Sequence, residues 1–90
     1  MYLHLGKDVV INEDIVVGIF DLDSVSYNKK SREFISSHQK ENAVIDAAQG
    51  LPKSVIVCRE YGRSVLYISQ ISARTLLKRI GTSRVFKNLQ

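Results

Sequence analysis

The 90-residue sequence predicts an α+β domain with a largely antiparallel sheet of about five strands and two helices. Three observations carry this prediction. Short β-branched runs alternate with turn residues, two of these runs are joined by a short loop containing glycine, and two segments show apolar residues at helical spacing. The elements follow one another in the order ββ-α-βββ-α, which is typical of helices packed against an antiparallel sheet.

The central element is a hairpin formed by residues 55–58 and 64–68. Both runs have high β propensity, and Gly62 in the loop between them can adopt the positive φ that a tight turn requires. The first run is apolar almost without alternation, so we expect its strand to be covered on both faces. Because an isolated hairpin is marginally stable, other strands must join it.

The remaining strands are read from shorter runs. Residues 2–5 predict a strand that is interrupted at 6–8 and resumes at 9–11, and residues 12–14 form a polar turn. A second buried strand covers residues 15–20, where Gly18 indicates a bulge or a close backbone approach. Residues 43–47 form a short strand before Pro52, which suits the beginning of the hairpin. The close succession of strands from 43 to 69 predicts a meander.

The first helix is predicted from about residue 27 to 41, with Asn42 as its stop. Its apolar side is thin, so it should cover one side of the sheet instead of forming a core of its own. The stripe consists of Tyr27, Ser31, Phe34, Ile35 and His38.

The second helix is predicted from the N-cap Ser72 to Gly81. Its apolar positions recur at i, i+3, i+4 and i+7, the spacing of a helix packed on a sheet. These positions are Ala73, Leu76, Leu77 and Ile80.

Length and composition predict one domain over residues 1–81 followed by a C-terminal tail, residues 82–90. One cysteine cannot form an internal disulfide, no segment resembles a secretory signal, and no apolar run reaches the roughly 20 residues of a membrane span. We therefore expect a cytoplasmic protein without membrane contact. A domain this small buries little apolar surface, and small domains commonly gain stability by oligomerisation, so we expect an oligomer.

Charge is divided unevenly along the chain. Residues 1–50 contain five Lys and Arg against eight Asp and Glu, a net charge of −3, whereas residues 51–90 contain eight against one, a net charge of +7. Three readings remain open: a polyanion such as nucleic acid, an acidic protein or neighbouring subunit, or simple solubility.

No constellation of catalytic residues is present, so we expect no enzyme, metal site, cofactor or small-molecule substrate. His4 and His38 lie on separate elements without ligands at metal-binding spacing, and His38 continues the stripe of its helix. Cys58 lies inside an apolar strand, where cysteine behaves as a small hydrophobe. The sequence also lacks a glycine-rich phosphate loop and a nucleophile elbow.

Several short motifs resemble the RemA/RemB family of small bacterial regulators of the extracellular matrix. They are residues 1–6 (MYLHLG), 17–21 (VGIFD), 50–57 (GLPKSVIV) and 75–79 (TLLKR), and the likeness covers most of residues 1–80. The resemblance implies a cytoplasmic regulator of matrix and biofilm genes and a LytTR-like fold. It further implies a ring of subunits that binds double-stranded DNA.

The sequence departs from the RemA branch of this family at two places. That branch carries an arginine shortly before its second long strand and an arginine pair after the glycine of an Asp-Ala-x-x-Gly turn. Here Glu13 and Asp14 lie near the first position, and Leu51 and Pro52 replace the pair.

Contact with DNA would therefore depend on other cations, mainly through backbone phosphates. We expect it to involve the following residues: Lys53, Arg63, Arg74, Lys78 and Arg79. The alternative is an oligomeric interaction module that modulates a paralogous regulator without binding DNA.

Overall fold

A computed structural model describes residues 2–22 and 29–80 and confirms the α+β class. The two helices are α1 (Lys29–Lys40) and α2 (Ala73–Arg79), and a single 3-10 turn covers Glu13–Ile15. The six strands are β1 (Tyr2–Gly6), β2 (Val9–Asn12), β3 (Val16–Asp21), β4 (Val44–Asp46), β5 (Ser54–Glu60) and β6 (Arg63–Ser69). The predicted tail 82–90, and the predicted helix end at Gly81, lie outside the described residues.

The strands form two sheets where one sheet of about five strands was predicted. β1 and β2 make an antiparallel pair of their own, and the other four strands are arranged in the order β3-β5-β6-β4. β5 is antiparallel to both β3 and β6, so the largely antiparallel character is confirmed.

The predicted meander over residues 43–69 is wrong, because β4 pairs with β6 and runs parallel to it. The Leu66 N–H donates to the Ala43 carbonyl, and the Ala47 N–H donates to the Ile68 carbonyl, which fixes this register. β3 and β6 already occupy both edges of β5. The short strand β4 is therefore left with the free edge of β6.

β5 is covered on both faces, as its unbroken apolar run predicted. Ile56 and Cys58 belong to the main core, where they meet residues of β1, β2 and α2. Val55 and Val57 point to the other face and line a groove beside α1. The molecule therefore has three layers: α1, the four-stranded sheet, and a layer made of the β1–β2 pair and α2.

The small sheet is tied to the large one at one end of β6. The hydroxyl of buried Ser69 donates to the Leu5 carbonyl, and the same oxygen accepts the Ile71 N–H at 3.0 Å. Beside this contact, Gly6 has a φ of +133° and approaches Ala47 closely. A Cβ at Gly6 would lie 2.5 Å from the Ala47 carbonyl oxygen, so the layers meet where only glycine fits.

The predicted bulge at Gly18 is confirmed. The register of β3 against β5 shifts between Val16 and Gly18. The ring of Phe20 covers Gly18, and a Cβ there would come within 2.9 Å of it. The glycine thus allows the Phe20 ring to approach the strand closely.

Both helix boundaries that fall on described residues follow the expected capping chemistry. Asn42 has a φ of +56° after the end of α1, and the Ala43 N–H donates to the His38 carbonyl at 2.8 Å. At the start of α2, the Ser72 hydroxyl oxygen accepts the Thr75 N–H. Neither described helix is long and apolar enough to span a membrane.

The hairpin loop is shorter than the sequence predicted. Five residues, 59–63, separate the two apolar runs, but strand pairing extends into them. Glu60 pairs with Arg63, so the turn consists of Tyr61 and Gly62, with φ values of +52° and +76°. Two consecutive positive φ values define a type I′ turn, which matches the twist of the strands. Gly62 adopts this conformation freely, whereas Tyr61 is held in a region that costs a non-glycine residue energy.

Replacement of Tyr61 by asparagine is expected to stabilise the protein by roughly 0.5–1 kcal/mol. Asparagine tolerates the left-handed region best after glycine, and the nearly fully exposed Tyr61 ring loses little contact. Urea unfolding measures the change. Tyr61→Val serves as the opposite control, because a β-branched residue at positive φ should destabilise the turn.

Candidate nucleic-acid interface

The second helix brings three of the five predicted cations onto one exposed surface. Leu76 and Ile80 are buried in the core and orient α2, which leaves Arg74, Lys78 and Arg79 exposed. Arg74 and Lys78 are one turn apart on the same face. These three residues are called the α2 cations below.

The exposed face of α2 also includes Leu77, which was predicted to be buried. Leu77 is 42% exposed and lies next to Lys78 and one turn from Arg74. The prediction was wrong because a helix of seven residues needs only Leu76 and Ile80 to contact the sheet. An apolar side chain beside cations can pack on the sugar part of a nucleic-acid backbone or on an apolar protein surface.

Lys53 lies at the same end of the sheet as the beginning of α2. Its N–H donates to the Ser69 carbonyl at 2.8 Å, and the adjacent Ser54 hydroxyl donates to the Ile71 carbonyl at 2.7 Å. Ile71 directly precedes the helix cap Ser72. The backbone of exposed Lys53 therefore lies close to the segment that leads into α2.

Arg63 is not part of this group. It begins β6 at the hairpin tip, whereas Lys53 precedes β5 at the opposite end. Ser69 is six residue steps along β6 from Arg63, about 20 Å. Arg63 also lies directly opposite Glu60, which lowers the positive potential there. The structure thus places three of the five predicted residues on α2, puts the Lys53 backbone at the same end of the sheet, and leaves Arg63 apart.

The turn that carries Leu51 and Pro52 is well ordered by hydrogen bonds. Asp46 accepts the Ala48 N–H on its carboxylate at 2.9 Å, and the Gln49 N–H donates to the Gln70 side-chain oxygen at 2.6 Å. This framework presents Leu51 to solvent with most of its side chain exposed. An exposed apolar residue therefore lies in a turn beside Lys53.

The other departure lies in the 3-10 turn before β3. Glu13 is only 4% exposed, and Asn12 caps this turn by accepting the Asp14 N–H at 2.9 Å. The Glu13 carboxylate is directed into the protein, so it has a structural setting that its sequence position did not reveal. Neither residue at this place supplies a cation.

The RemA-like family model, described as extracellular matrix regulatory protein A-like, matches residues 2–80. The chain belongs to the RemA-like family. It is also 34% identical over 79 residues to extracellular matrix regulatory protein B of Bacillus subtilis (strain 168), covering 88% of this chain and 89% of that protein. The predicted family resemblance is confirmed.

The histidines of this RemA-like chain have structural partners. His38 is half-buried, and its Nδ1–H donates to the Phe34 carbonyl at 2.8 Å. Its Nε2 lies 2.9 Å from the Ser64 hydroxyl, so the ring links α1 to β6. His4 lies 3.0 Å from the Lys7 carbonyl in the loop between β1 and β2.

Cys58 is fully buried in the core of the RemA-like fold. Burial, followed by the negative charge of Glu60, raises the pKa of its thiol from 9.0 to about 12. A thiolate is therefore scarce in the folded protein at neutral pH. This setting matches the small-hydrophobe role predicted from the sequence.

Stability is expected to fall as the pH rises above about 9. The unfolded thiol loses its proton near its ordinary pKa, while the folded thiol keeps it up to about 12. The unfolded state then binds fewer protons, and the free energy of unfolding decreases by up to about 1.4 kcal/mol per pH unit. Urea unfolding at pH 8 to 10 measures this slope, and Cys58→Ala should lack it. An equal slope in both proteins would contradict the assignment.

Proposed function

We propose that this protein is a non-enzymatic cytoplasmic regulator of extracellular matrix genes that acts as an oligomer on double-stranded DNA. Membership in the RemA-like family supports the regulatory part of the proposal. The contact with DNA would run through backbone phosphates, with little reading of base edges.

The observation that carries the DNA contact is the exposure of three cations on α2, with Lys53 exposed at the same end of the sheet. The Lys53 backbone lies near the segment that leads into α2, and the α2 cations follow on that helix. Toward the residues that the structure describes, these side chains make no hydrogen bond or ion pair. Residues 51–80 contain six Lys and Arg against Glu60 alone, a net charge of +5.

Affinity would come from repetition. Four cations per subunit neutralise only a few phosphates, which gives weak binding. If several subunits lie along one duplex, the second and later contacts become intramolecular, and the total affinity rises steeply. Assembly would thus compensate for the small number of contacts made by each copy.

Fluorescence anisotropy with a labelled duplex at several salt concentrations tests this function. Binding should weaken linearly on a log–log plot, with a slope of about −0.9 for each phosphate contacted. Sedimentation of the same mixtures gives the number of subunits per duplex. A lack of binding at low salt, or binding that ignores salt, would refute the proposal.

A second candidate function is favoured by the two cation-poor positions. Leu51 is exposed where the RemA branch places an arginine, and Glu13 is buried near the other position. Under this second function, the protein is an oligomeric interaction module that binds a paralogous regulator through apolar and charged contacts and does not bind DNA. Leu51→Arg distinguishes the two functions: it should strengthen DNA binding under the first, and weaken binding to the paralogue under the second.

A further inference from the structure

An apolar groove lies between α1 and the large sheet. Its volume is about 360 Å³, and its walls come from β3 and β5 on one side and from α1 on the other. Val17, Phe20 and Phe34 line it and leave much of their side chains exposed. Small-molecule sites have volumes of about 300–1,000 Å³ and are mostly apolar, with a few polar groups that orient the ligand. The groove has the size and the character of such a site.

Lys30 is the one charged residue among the described residues that line the groove. It lies one turn before Phe34 on α1, so the cation and the ring share one face of the helix. The other lining side chains are valine, isoleucine and phenylalanine, which offer no hydrogen-bond donor or acceptor. A sugar or a nucleotide would leave most of its polar groups unpaired here. An apolar chain with one anionic end would not.

The beginning of α1 provides a further attraction for an anion. Lys29, Lys30 and Arg32 lie in its first turn, and that turn contains no acidic residue. The amide dipoles of a helix create a positive potential at its N-terminus, so these cations raise the potential further and an anion is stabilised. A lysine ammonium group donates three hydrogen bonds, so Lys30 can bind a carboxylate in addition to its contacts within the protein.

We propose that this groove binds a small amphiphilic carboxylate of the fatty-acid class, with its carboxylate at Lys30 and its hydrocarbon chain against Phe20 and Phe34. Removal of apolar surface from water, on the ligand and on the groove, supplies the affinity. The charge-assisted hydrogen bond to Lys30 orients the ligand and selects an anionic head group over a neutral one.

The site is separate from the α2 cations. Val55 and Val57 line the groove, whereas Ile56 and Cys58 of the same strand belong to the core against which α2 packs. The groove and α2 therefore lie on opposite faces of the sheet. The inference goes beyond the proposed function and does not depend on contact with DNA, since the ligand would leave the α2 surface accessible.

Isothermal titration with decanoate tests the contact with the head group. The wild-type protein should bind decanoate saturably, with a dissociation constant of about 0.1 mM or lower. Lys30→Gln should weaken this binding at least about fivefold, because it removes a charge-assisted hydrogen bond. Lys29→Gln is the matched control: it makes the same change in charge at an adjacent exposed residue that is not part of the lining, and it should bind decanoate as the wild type does.

Decanol separates the contact with the carboxylate from the contact with the chain. It has the same hydrocarbon chain without the charge, so the wild type and Lys30→Gln should bind it equally well. Equal weakening of decanoate binding by the two lysine variants would overturn the inference. Absence of saturable decanoate binding below about 1 mM would overturn it as well.

Methyl NMR spectra locate the ligand on the protein. Decanoate should shift the signals of Val17, Val55 and Val57, which line the groove, and leave that of Val10 unchanged. Val10 is 52% exposed, close to the 54% of Val17, but it lies on β2 in the small sheet, so it reports adsorption to any exposed apolar side chain. Equal shifts at Val10 would refute the site. So would unchanged groove signals, the result expected if another part of the chain or a second copy covers the groove.

Discussion

Replacement of the α2 cations by glutamate is expected to weaken DNA binding by at least about a hundredfold near 0.1 M salt. Arg74, Lys78 and Arg79 share one exposed surface, and each phosphate contact that is lost removes counterion release from the binding free energy. If all three contact phosphates, the slope of log affinity against log salt should fall by about 2.7 per bound subunit. Anisotropy titrations at four or more salt concentrations give both numbers.

The control for this prediction keeps the same change in net charge. Lys7, Lys29 and Lys40 are also exposed, and their joint replacement by glutamate changes the charge as much as the first triple variant does. Since they lie outside the group around α2, we expect a much smaller loss. If both variants lose affinity equally, net charge and not the α2 surface governs binding.

Gly6→Ala is expected to destabilise the protein by about 3 kcal/mol or more. The φ of +133° is strained for any residue with a Cβ, and the new carbon would lie 2.5 Å from the Ala47 carbonyl oxygen. Backbone strain and overpacking each cost about 1–3 kcal/mol, and backbone at this contact has little freedom to move. Urea unfolding of the purified protein measures the loss.

Alanine substitutions at two other glycines distinguish the cost of backbone strain from the cost of a steric contact. Gly62 has a φ of +76° with open space around its Cβ position, so Gly62→Ala should cost about 1 kcal/mol from strain alone. At Gly50, a Cβ would lie at an ordinary 4.0 Å from Gln70, and Gly50→Ala should be close to neutral. A Gly6→Ala variant no less stable than Gly62→Ala would contradict the close packing of Gly6 on Ala47.

Local features were predictable where a residue's effect depends on its immediate neighbours. The Ser72 cap, the left-handed Asn42 and the bulge at Gly18 each follow from side-chain chemistry within a few positions. The turn at Gly62 was predicted for the same reason. The length of this turn was not predicted, because pairing of Glu60 with Arg63 depends on the register of the whole hairpin.

The candidate site was predictable in composition but not in arrangement. Exposure of all five cations follows from their cost of burial. Which of them lie at the same end of the molecule depends on where α2 begins relative to the sheet, and this placement leaves Arg63 at the far end. The exposure of Leu77 likewise depends on how much of a short helix the sheet can cover.

The sequence by itself determined the α+β class, the central β5–β6 hairpin and the concentration of positive charge in the second half. These follow from residue periodicity, propensity and charge, which act over short distances along the chain. Only the tertiary structure decided that β4 pairs parallel with β6, that β1 and β2 form a separate sheet, and that β3, among the described strands, pairs with β5 alone. Strand order depends on which edges remain available after the most apolar strand has been paired, and that competition involves residues far apart in the sequence.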